Sequence, residues 1–205
     1  MIADVLLHLG SSLLRIAAVL TIAFTAAWPL GLMLGRRRSL AFLFNPLTEF
    51  LYSIPKVALF PLFIIFLGLN DRARIATAAL AVFFQVLISV RDAAEAIPDE
   101  YIVSLDCLGG RLKERIRWVY IPALLPASFS SLRVGSSAAF AVLFFTEASV
   151  TSGYGLGRLV AEKWSELDYG ALSGAAVITA LAGYLVFILI DFLEKKLVRY
   201  SSSGS

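Results

Sequence analysis

Cysteine and histidine are nearly missing from this 205-residue sequence, and each scarcity excludes a kind of site. The single cysteine, Cys107, leaves no internal disulfide and no cysteine metal cluster. The single histidine, His8, excludes the usual two-histidine metal sites within one chain, and neither residue is expected to have a function. A G-x-x-x-x-G-K-[ST] phosphate loop is also missing, so the chain does not bind ATP by that device. We therefore expect no cofactor in this chain.

Charged residues are scarce as well, at 16% of the sequence, whereas 59% of the residues are hydrophobic and the mean hydropathy is +0.83. Soluble domains typically contain about a quarter charged residues. A water-soluble fold of this composition would expose large apolar patches and aggregate. Membrane lipid is therefore the expected surrounding, and the net charge of +3 gives no indication of nucleic-acid binding.

Long apolar segments suited to a bilayer recur along the chain. A membrane-spanning helix needs roughly 20 apolar residues. The sequence predicts an all-α, polytopic membrane protein with one transmembrane domain over residues 1–200 and five spans, at about 12–34, 50–69, 73–90, 127–145 and 171–193. Prolines interrupt the approach to the second span, so residues 42–56 are a candidate interfacial helix. Residues 201–205, Ser-Ser-Ser-Gly-Ser, are interpreted as an appended linker.

Lysine and arginine mark the predicted cytoplasmic side, because cytoplasmic loops collect them. In a five-pass topology three basic stretches share one side, namely residues 35–38, 111–117 and 195–199. This places the N-terminus outside and the C-terminus in the cytoplasm. Within the spans, Gln85 is expected to hydrogen-bond across a helix interface, and Lys56 to reach the headgroups or pair with Glu49.

Glu147 lies near the outer end of the fourth predicted span, where a carboxylate facing lipid would be costly. It is either part of a translocation pathway or a helix-end carboxylate paired with Arg158 or Lys163. The glycines that follow, including Gly155 and Gly157, predict a flexible re-entrant loop. That loop is either a gate or an ordinary connection.

The longest polar stretch is the predicted cytoplasmic loop at residues 91–126. Its apolar residues recur at three- and four-residue steps, as on one face of a helix: Ile102, Leu105, Leu112, Ile116 and Val119. Gly109-Gly110 interrupts the stripe, and Pro98 and Pro122 bound it. The pattern predicts two short helices that meet at a glycine corner. They are either an interfacial amphipathic connector or a docking element for a cytoplasmic partner.

Several motifs resemble a known family. Gly109 is followed by nine residues and then Val119-Tyr-Ile-Pro122, which resembles the Gly, nine residues, Ile-x-Leu-Pro loop of binding-protein-dependent ABC importer permeases. Other segments resemble the nitrate, sulfonate and taurine branch of that family: Ser11-Ser-Leu-Leu-Arg15, Ser53-Ile-Pro-Lys-Val-Ala-Leu-Phe-Pro-Leu62, Phe66-Leu-Gly-Leu-Asn70, and Glu147 with Gly155-Leu-Gly157. The resemblance covers residues 11–195. Where the family has Glu-Ala-Ala, this chain has Val103-Ser-Leu105.

The resemblance implies a five-helix, type I ABC importer core with a cytoplasmic coupling helix, in the plasma (inner) membrane of a bacterium. It implies a second permease chain, cytoplasmic ABC ATPase subunits that hold ATP and magnesium, and an extracytoplasmic substrate-binding protein. The chain itself would then be no enzyme, and it would move a small solute inward by alternating access. A small anion such as nitrate, a sulfonate or a taurine-like compound is the favoured solute. The candidate ATPase-coupling residues are Asp99, Glu100, Ser104, Asp106, Gly109, Gly110 and Pro122, with Glu100 or Asp106 replacing the family's acidic contact.

Three other classes of protein fit less well. An ATP-independent channel or secondary transporter would call for paired ionisable groups at mid-membrane and inverted repeats. A membrane-embedded enzyme would need clustered catalytic side chains in the spans. A structural scaffold would leave the regular pattern of residues 91–126 unexplained. Co-purification with an ATPase subunit separates the importer from all three.

Overall fold

The computed structural model describes residues 2–150 and 153–202, and these residues are almost entirely helical, with no strand among them. The α-helices in chain order are α1 (Ile2–Arg36), α2 (Arg38–Ser53), α3 (Phe60–Leu67), α4 (Asp71–Glu95), α5 (Asp99–Cys107), α6 (Leu112–Arg115), α7 (Ile121–Ala148), α8 (Leu156–Ser165) and α9 (Tyr169–Ser202). A 3-10 turn at Lys56–Leu59 precedes α3, and a π-helical turn at Ile116–Tyr120 joins α6 to α7. Of the predicted linker, residues 201 and 202 end α9, and the other three lie outside the described residues.

Four helices in the described residues are long and apolar enough to cross a membrane alone: α1, α4, the continuous helix Leu112–Ala148, and α9. A fifth crossing forms only if α2 and the helical residues Lys56–Leu67 are taken together, and these two parts are bent by 90°. The predicted all-α, polytopic architecture is confirmed.

The second predicted span is therefore not a single helix over residues 50–69. α2 already begins at Arg38, so the candidate interfacial helix at residues 42–56 is most of α2. The break follows Ser53, where Ile54 adopts an extended conformation with φ −67° and ψ 130°. Pro55 explains the break, because proline lacks an N–H and disfavours helical geometry in the residue before it.

The predicted loop at residues 91–126 is also shorter than expected. α4 continues to Glu95, and only α5 is a separate short helix. The second predicted short helix is instead the beginning of the fourth crossing, a continuous helix of 37 residues. Its π-helical turn lies just before Pro122, which cannot donate to the carbonyl of Trp118.

The core forms where α1 packs against α4 and α4 packs against α7. The face of α1 that contacts α4 has a small residue at every fourth position: Ala23, Ala27, Gly31 and Gly35. A Cβ added at Gly35 would lie 2.3 Å from the carbonyl oxygen of Arg91 on α4. The two backbones approach this closely only because side chains are nearly missing there, as is common between membrane helices. This packing holds α4 in the centre and places the amino-terminal ends of α1 and α4 beside the carboxyl-terminal end of α7.

Candidate functional site

The amino-terminal end of α8 is capped by side chains of other helices. The backbone N–H groups of Leu156 and Gly157 donate to Ser12 Oγ (2.9 Å) and Glu147 Oε2 (3.1 Å), and His8 Nδ1 lies 2.6 Å from the carbonyl oxygen and 3.0 Å from the amide nitrogen of Gly155. The first N–H groups of a helix have no partner within it. A carboxylate at this end also interacts favourably with the helix dipole. We call the first turn of α8, together with His8, Ser12 and Glu147 around it, the outer clamp, after the side of the membrane predicted for it from the sequence, and it ties α8 to α1 and α7.

A buried ion pair supports the outer clamp. Arg15 NH1 lies 2.7 Å from Glu147 Oε1, and the two side chains are only 6% and 2% exposed. Arg15 also reaches Asp71 at 2.9 Å and the carbonyl oxygen of Tyr154 at 2.6 Å. Asp71 in turn lies 3.0 Å from Arg74. Two arginines and two carboxylates thus form a network without net charge at this end of the bundle.

The glycines of Gly155-Leu-Gly157 are required by close contacts. A Cβ at Gly155 would lie 2.5 Å from the carboxyl carbon of Glu147, and one at Gly157 would lie 2.1 Å from the carbonyl oxygen of Phe144. A side chain at Gly157 would push α8 away from α7, whereas one at Gly155 would displace the Glu147 carboxylate from its place in the cap. The part of the predicted flexible loop that starts at Leu156 is instead the clamped start of a helix.

The expected partners of Glu147 were wrong. Arg158 donates to the carbonyl oxygen of Gly153 at 2.6 Å. Lys163 donates to Glu166 at 2.7 Å, and this hydrogen bond raises the pKa of Lys163. His8 is not incidental either, since it is 6% exposed and its Nδ1 contacts the backbone of Gly155 at the start of α8. A signal for this existed, because His8, Ser12 and Arg15 are spaced by four and three residues and share one face of α1.

α5 ends at the Gly109-Gly110 corner with two backbone hydrogen bonds that are typical of a helix C-terminus. Gly109 N–H donates to Asp106 O, and Gly110 N–H donates to Leu105 O, both at 2.9 Å. Gly109 has φ +80°, which a side chain would disfavour, and a Cβ at Gly110 would lie 2.6 Å from Leu105 Cγ. Both glycines are therefore needed for the turn that reverses the chain.

Ion pairs hold both ends of α5. Asp106 accepts two hydrogen bonds from Arg115, at 2.8 and 2.7 Å, across the glycine corner. At the other end, Arg36 pairs with the carboxylate of Asp99 and donates to the carbonyl oxygen of Ile97 at 2.9 Å. Asp106 is therefore occupied within the chain, which disfavours it as a replacement for the family's acidic contact.

No side chain of α5 is buried against the rest of the described chain. Glu100 and Ser104 are exposed, as are the apolar side chains of Tyr101 (63%) and Val103 (58%). A groove of about 490 Å³ lies between α5 and the start of α7, and Pro122 forms part of its wall. Six of the seven predicted coupling residues thus lie on α5 or in the glycine corner, and the seventh, Pro122, lines the groove opposite Tyr101. The three predicted pathway residues belong to the outer clamp.

A bundle of apolar crossings with a short helix at one end, none of whose side chains is buried, is the architecture expected of a permease, a membrane-embedded subunit of a transporter. The family described as binding-protein-dependent transport system inner membrane component matches residues 27–199. The chain belongs to this family, and it is a membrane-embedded transporter component.

Individual relatives agree with the family and with the resemblance to its taurine and sulfonate branch. A putative ABC transporter permease protein of Methanocaldococcus jannaschii is 28% identical over 185 residues, which are 90% of this chain and 69% of that protein. The taurine transport system permease protein TauC of Escherichia coli is 24% identical over 94% of this chain and 70% of its own length. The putative aliphatic sulfonates transport permease protein SsuC of Bacillus subtilis is 24% identical over 96% and 71%.

The fold is similar to that of a solved transporter. An inward-facing crystal structure of the MetNI methionine ABC transporter matches with a TM-score of 0.75 over 98% of this chain and 97% of the other, at 17% sequence identity. The likeness confirms the type I importer fold.

Proposed function

We propose that this chain moves a small anion inward as the permease subunit of an importer driven by separate ATPase subunits. The observation that carries the proposal is α5. Its ends are held by Arg36 and Arg115, yet none of its side chains is buried. A short helix whose ends are tied to neighbouring helices and whose side chains are not buried is suited to contact a cytoplasmic partner and to receive force from it.

The coupling path runs from α5 through the Asp106–Arg115 pair into the helix Leu112–Ala148. At about 1.5 Å per residue, the 37 residues of that helix extend about 55 Å. Its outer end carries Glu147, which caps α8. A tilt imposed on α5 by ATPase closure would therefore reach the outer clamp directly.

In this proposal α8 is the outer gate, and Glu147, Gly155 and Gly157 hold it closed. Opening requires the N–H groups of the first turn to leave their capping side chains while the solute enters. The positive-inside rule places α5 in the cytoplasm, with the N-terminus outside and the C-terminus inside. The partners are a second permease chain, ABC ATPase subunits that hold ATP and magnesium, and an extracytoplasmic binding protein. The taurine and sulfonate permeases among the relatives support a small anion as the solute.

The test is a double substitution at the glycine corner, Gly109→Val with Gly110→Leu, in proteoliposomes that contain the cognate ATPase and binding protein. We expect ATP hydrolysis to persist and uptake of radiolabelled taurine or methanesulfonate to fall at least about tenfold, because α5 can no longer be closed onto α6. Gly174→Leu is the control, since nothing lies within 4 Å of a Cβ there.

Two results would refute the proposal. Normal uptake in the double variant would show that α5 does not couple. Uptake by the unsubstituted permease that needs no ATPase would favour an ATP-independent channel or secondary transporter. Mass spectrometry of the molecule that copurifies with the cognate binding protein identifies the solute.

A further inference from the structure

The corner between α2 and α3 lies near the middle of the membrane. Tyr52, next to the break, donates from its hydroxyl to Gln85 Oε1 at 2.8 Å. Gln85 is well inside α4, about 21 Å along the helix from Asp71 and about 15 Å from Glu95. The 90° bend therefore occurs at a depth where lipid is driest.

One side of this corner is open. Tyr52 is 46% exposed, and Ser53 and Pro55 are exposed as well. Non-helical backbone at membrane depth is tolerated only when it is buried in protein or lines a water-filled cavity, because lipid cannot satisfy its polar groups. Lys56 satisfies three carbonyl groups at the break, but the exposed side chains of Tyr52 and Ser53 and the break itself still favour protein or a water-filled cavity over lipid on the open side of the corner.

Lys56 satisfies the backbone at the break. Its side chain is buried, with 9% exposure, and Nζ donates to the carbonyl oxygens of Leu51, Tyr52 and Ile54, each at 2.7 Å. In an unbroken helix the N–H of residue 55 would donate to Leu51, but Pro55 has none. Lys56 thus replaces the donor that the proline removes.

The charge of Lys56 has no carboxylate counterpart in the described part of the chain. Three arginines within the bundle, by contrast, each have a carboxylate partner. Arg15 pairs with Glu147, Arg91 with Glu49, and Arg133 with Asp191 and Glu194. The partners of Lys56 are three carbonyl dipoles and the ring faces of Tyr52 and Phe84, whose centroids lie 5.6 and 5.2 Å from Nζ, and none of these groups carries a net charge. A dipole field falls off faster with distance than that of a charge, so a positive potential extends past the cap to the open side of the corner.

We infer that the open corner formed by Tyr52, Ser53 and Pro55 is part of the wall of the solute pathway, and that Lys56 makes this wall selective for anions. The inference rests on the proposed function and adds to it a site and a residue that determines specificity. Lys56 attracts anions through the electric field of its ammonium group, while its three hydrogen bonds to backbone carbonyl oxygens continue to hold the bend.

Charged thiol-reactive reagents test both parts of this inference, the place of the corner in the pathway wall and the selectivity for anions, without knowledge of the solute. Ser53→Cys is made in a Cys107→Ser background and assembled with the cognate ATPase in nanodiscs. The rates of reaction with anionic sulfonatoethyl and cationic trimethylammonioethyl methanethiosulfonate are measured and normalised to a free thiol. Leu185→Cys is the lipid control, because Leu185 is 56% exposed on the apolar face of α9.

We expect the thiol at position 53 to react with both reagents and the thiol at position 185 with neither. Lys56→Gln should lower the ratio of anionic to cationic rates about tenfold, because the lost charge attracted one reagent and repelled the other. Lys56→Arg should keep the ratio. If Lys56→Gln does not assemble, two variants of the exposed residue Ala58, Ala58→Asp and Ala58→Asn, are compared instead. The acidic variant should lower the ratio of anionic to cationic rates relative to the neutral one.

If the thiol at position 53 is unreactive, the corner is not part of the wall of the solute pathway. If the ratio of anionic to cationic rates is unaffected by Lys56→Gln or Ala58→Asp, the wall is not selective for anions. ATP-driven uptake is measured on the same complex. A corner that fails these tests in a complex that still transports refutes only this inference, whereas a complex without ATP-driven uptake refutes the proposed function.

Discussion

Glu147→Gln isolates the charge of the outer clamp while keeping its shape. The glutamine amide has nearly the volume of the carboxylate and can still accept a hydrogen bond from Ser12 or Gly157. What is lost is the negative charge that lies 2.7 Å from Arg15. Because both side chains are almost fully buried, Arg15 cannot turn to water for compensation.

The size of the effect follows from the remaining contacts of Arg15. Removing one partner of a buried ion pair costs about 3–5 kcal/mol, because the other charge stays buried. Arg15 keeps Asp71 at 2.9 Å, but that carboxylate is 56% exposed, and pairs with an exposed partner contribute about 1 kcal/mol or less. We therefore expect Glu147→Gln to lower the free energy of unfolding by about 3 kcal/mol.

The assay is equilibrium unfolding of the purified permease by SDS in mixed micelles, followed by circular dichroism. Lys163→Met, which removes an exposed ion pair with Glu166, is the control and should leave the unfolding free energy unchanged. The double variant Arg15→Met with Glu147→Leu removes both charges. Its loss of unfolding free energy should be smaller, by about 1–3 kcal/mol, than the sum of the losses in Arg15→Met alone and Glu147→Leu alone. A loss below about 1 kcal/mol in Glu147→Gln, or additive losses, would refute the clamp.

Two further predictions concern glycines at close contacts. Gly157→Ala should lower uptake and stability, since its methyl group would lie 2.1 Å from the carbonyl oxygen of Phe144; Gly174→Ala on α9 meets no atom within 4 Å and should be neutral in the same assays. Gly35→Leu should prevent α1 from packing on α4 and abolish recovery of folded permease in size-exclusion chromatography, whereas Gly10→Leu on the same helix should be tolerated, because the space around Gly10 is open. A stable, active Gly157→Ala protein, or folded Gly35→Leu protein, would contradict the respective contact.

The permease architecture was accessible from sequence because its causes are local. Apolar runs of the length of a bilayer predict crossings without knowledge of their neighbours. The glycine corner was predicted for the same reason, since Gly109 and Gly110 interrupt an apolar stripe within a few residues. The motifs that indicated the family also depend only on spacing along the chain.

The tertiary structure decided what lies far apart in sequence. Arg15 and Glu147 are separated by 132 positions, and only the packing of α1 beside α7 turns two costly charges into a pair. Composition likewise could not distinguish a straight second span from the bent pair, because Pro55 is compatible with either a kink or a break. Lys56 stabilises the break by donating to carbonyls that a continuous helix would have used internally. Local composition thus determines which segments enter the membrane, whereas the close approach of helices determines which of their polar groups meet.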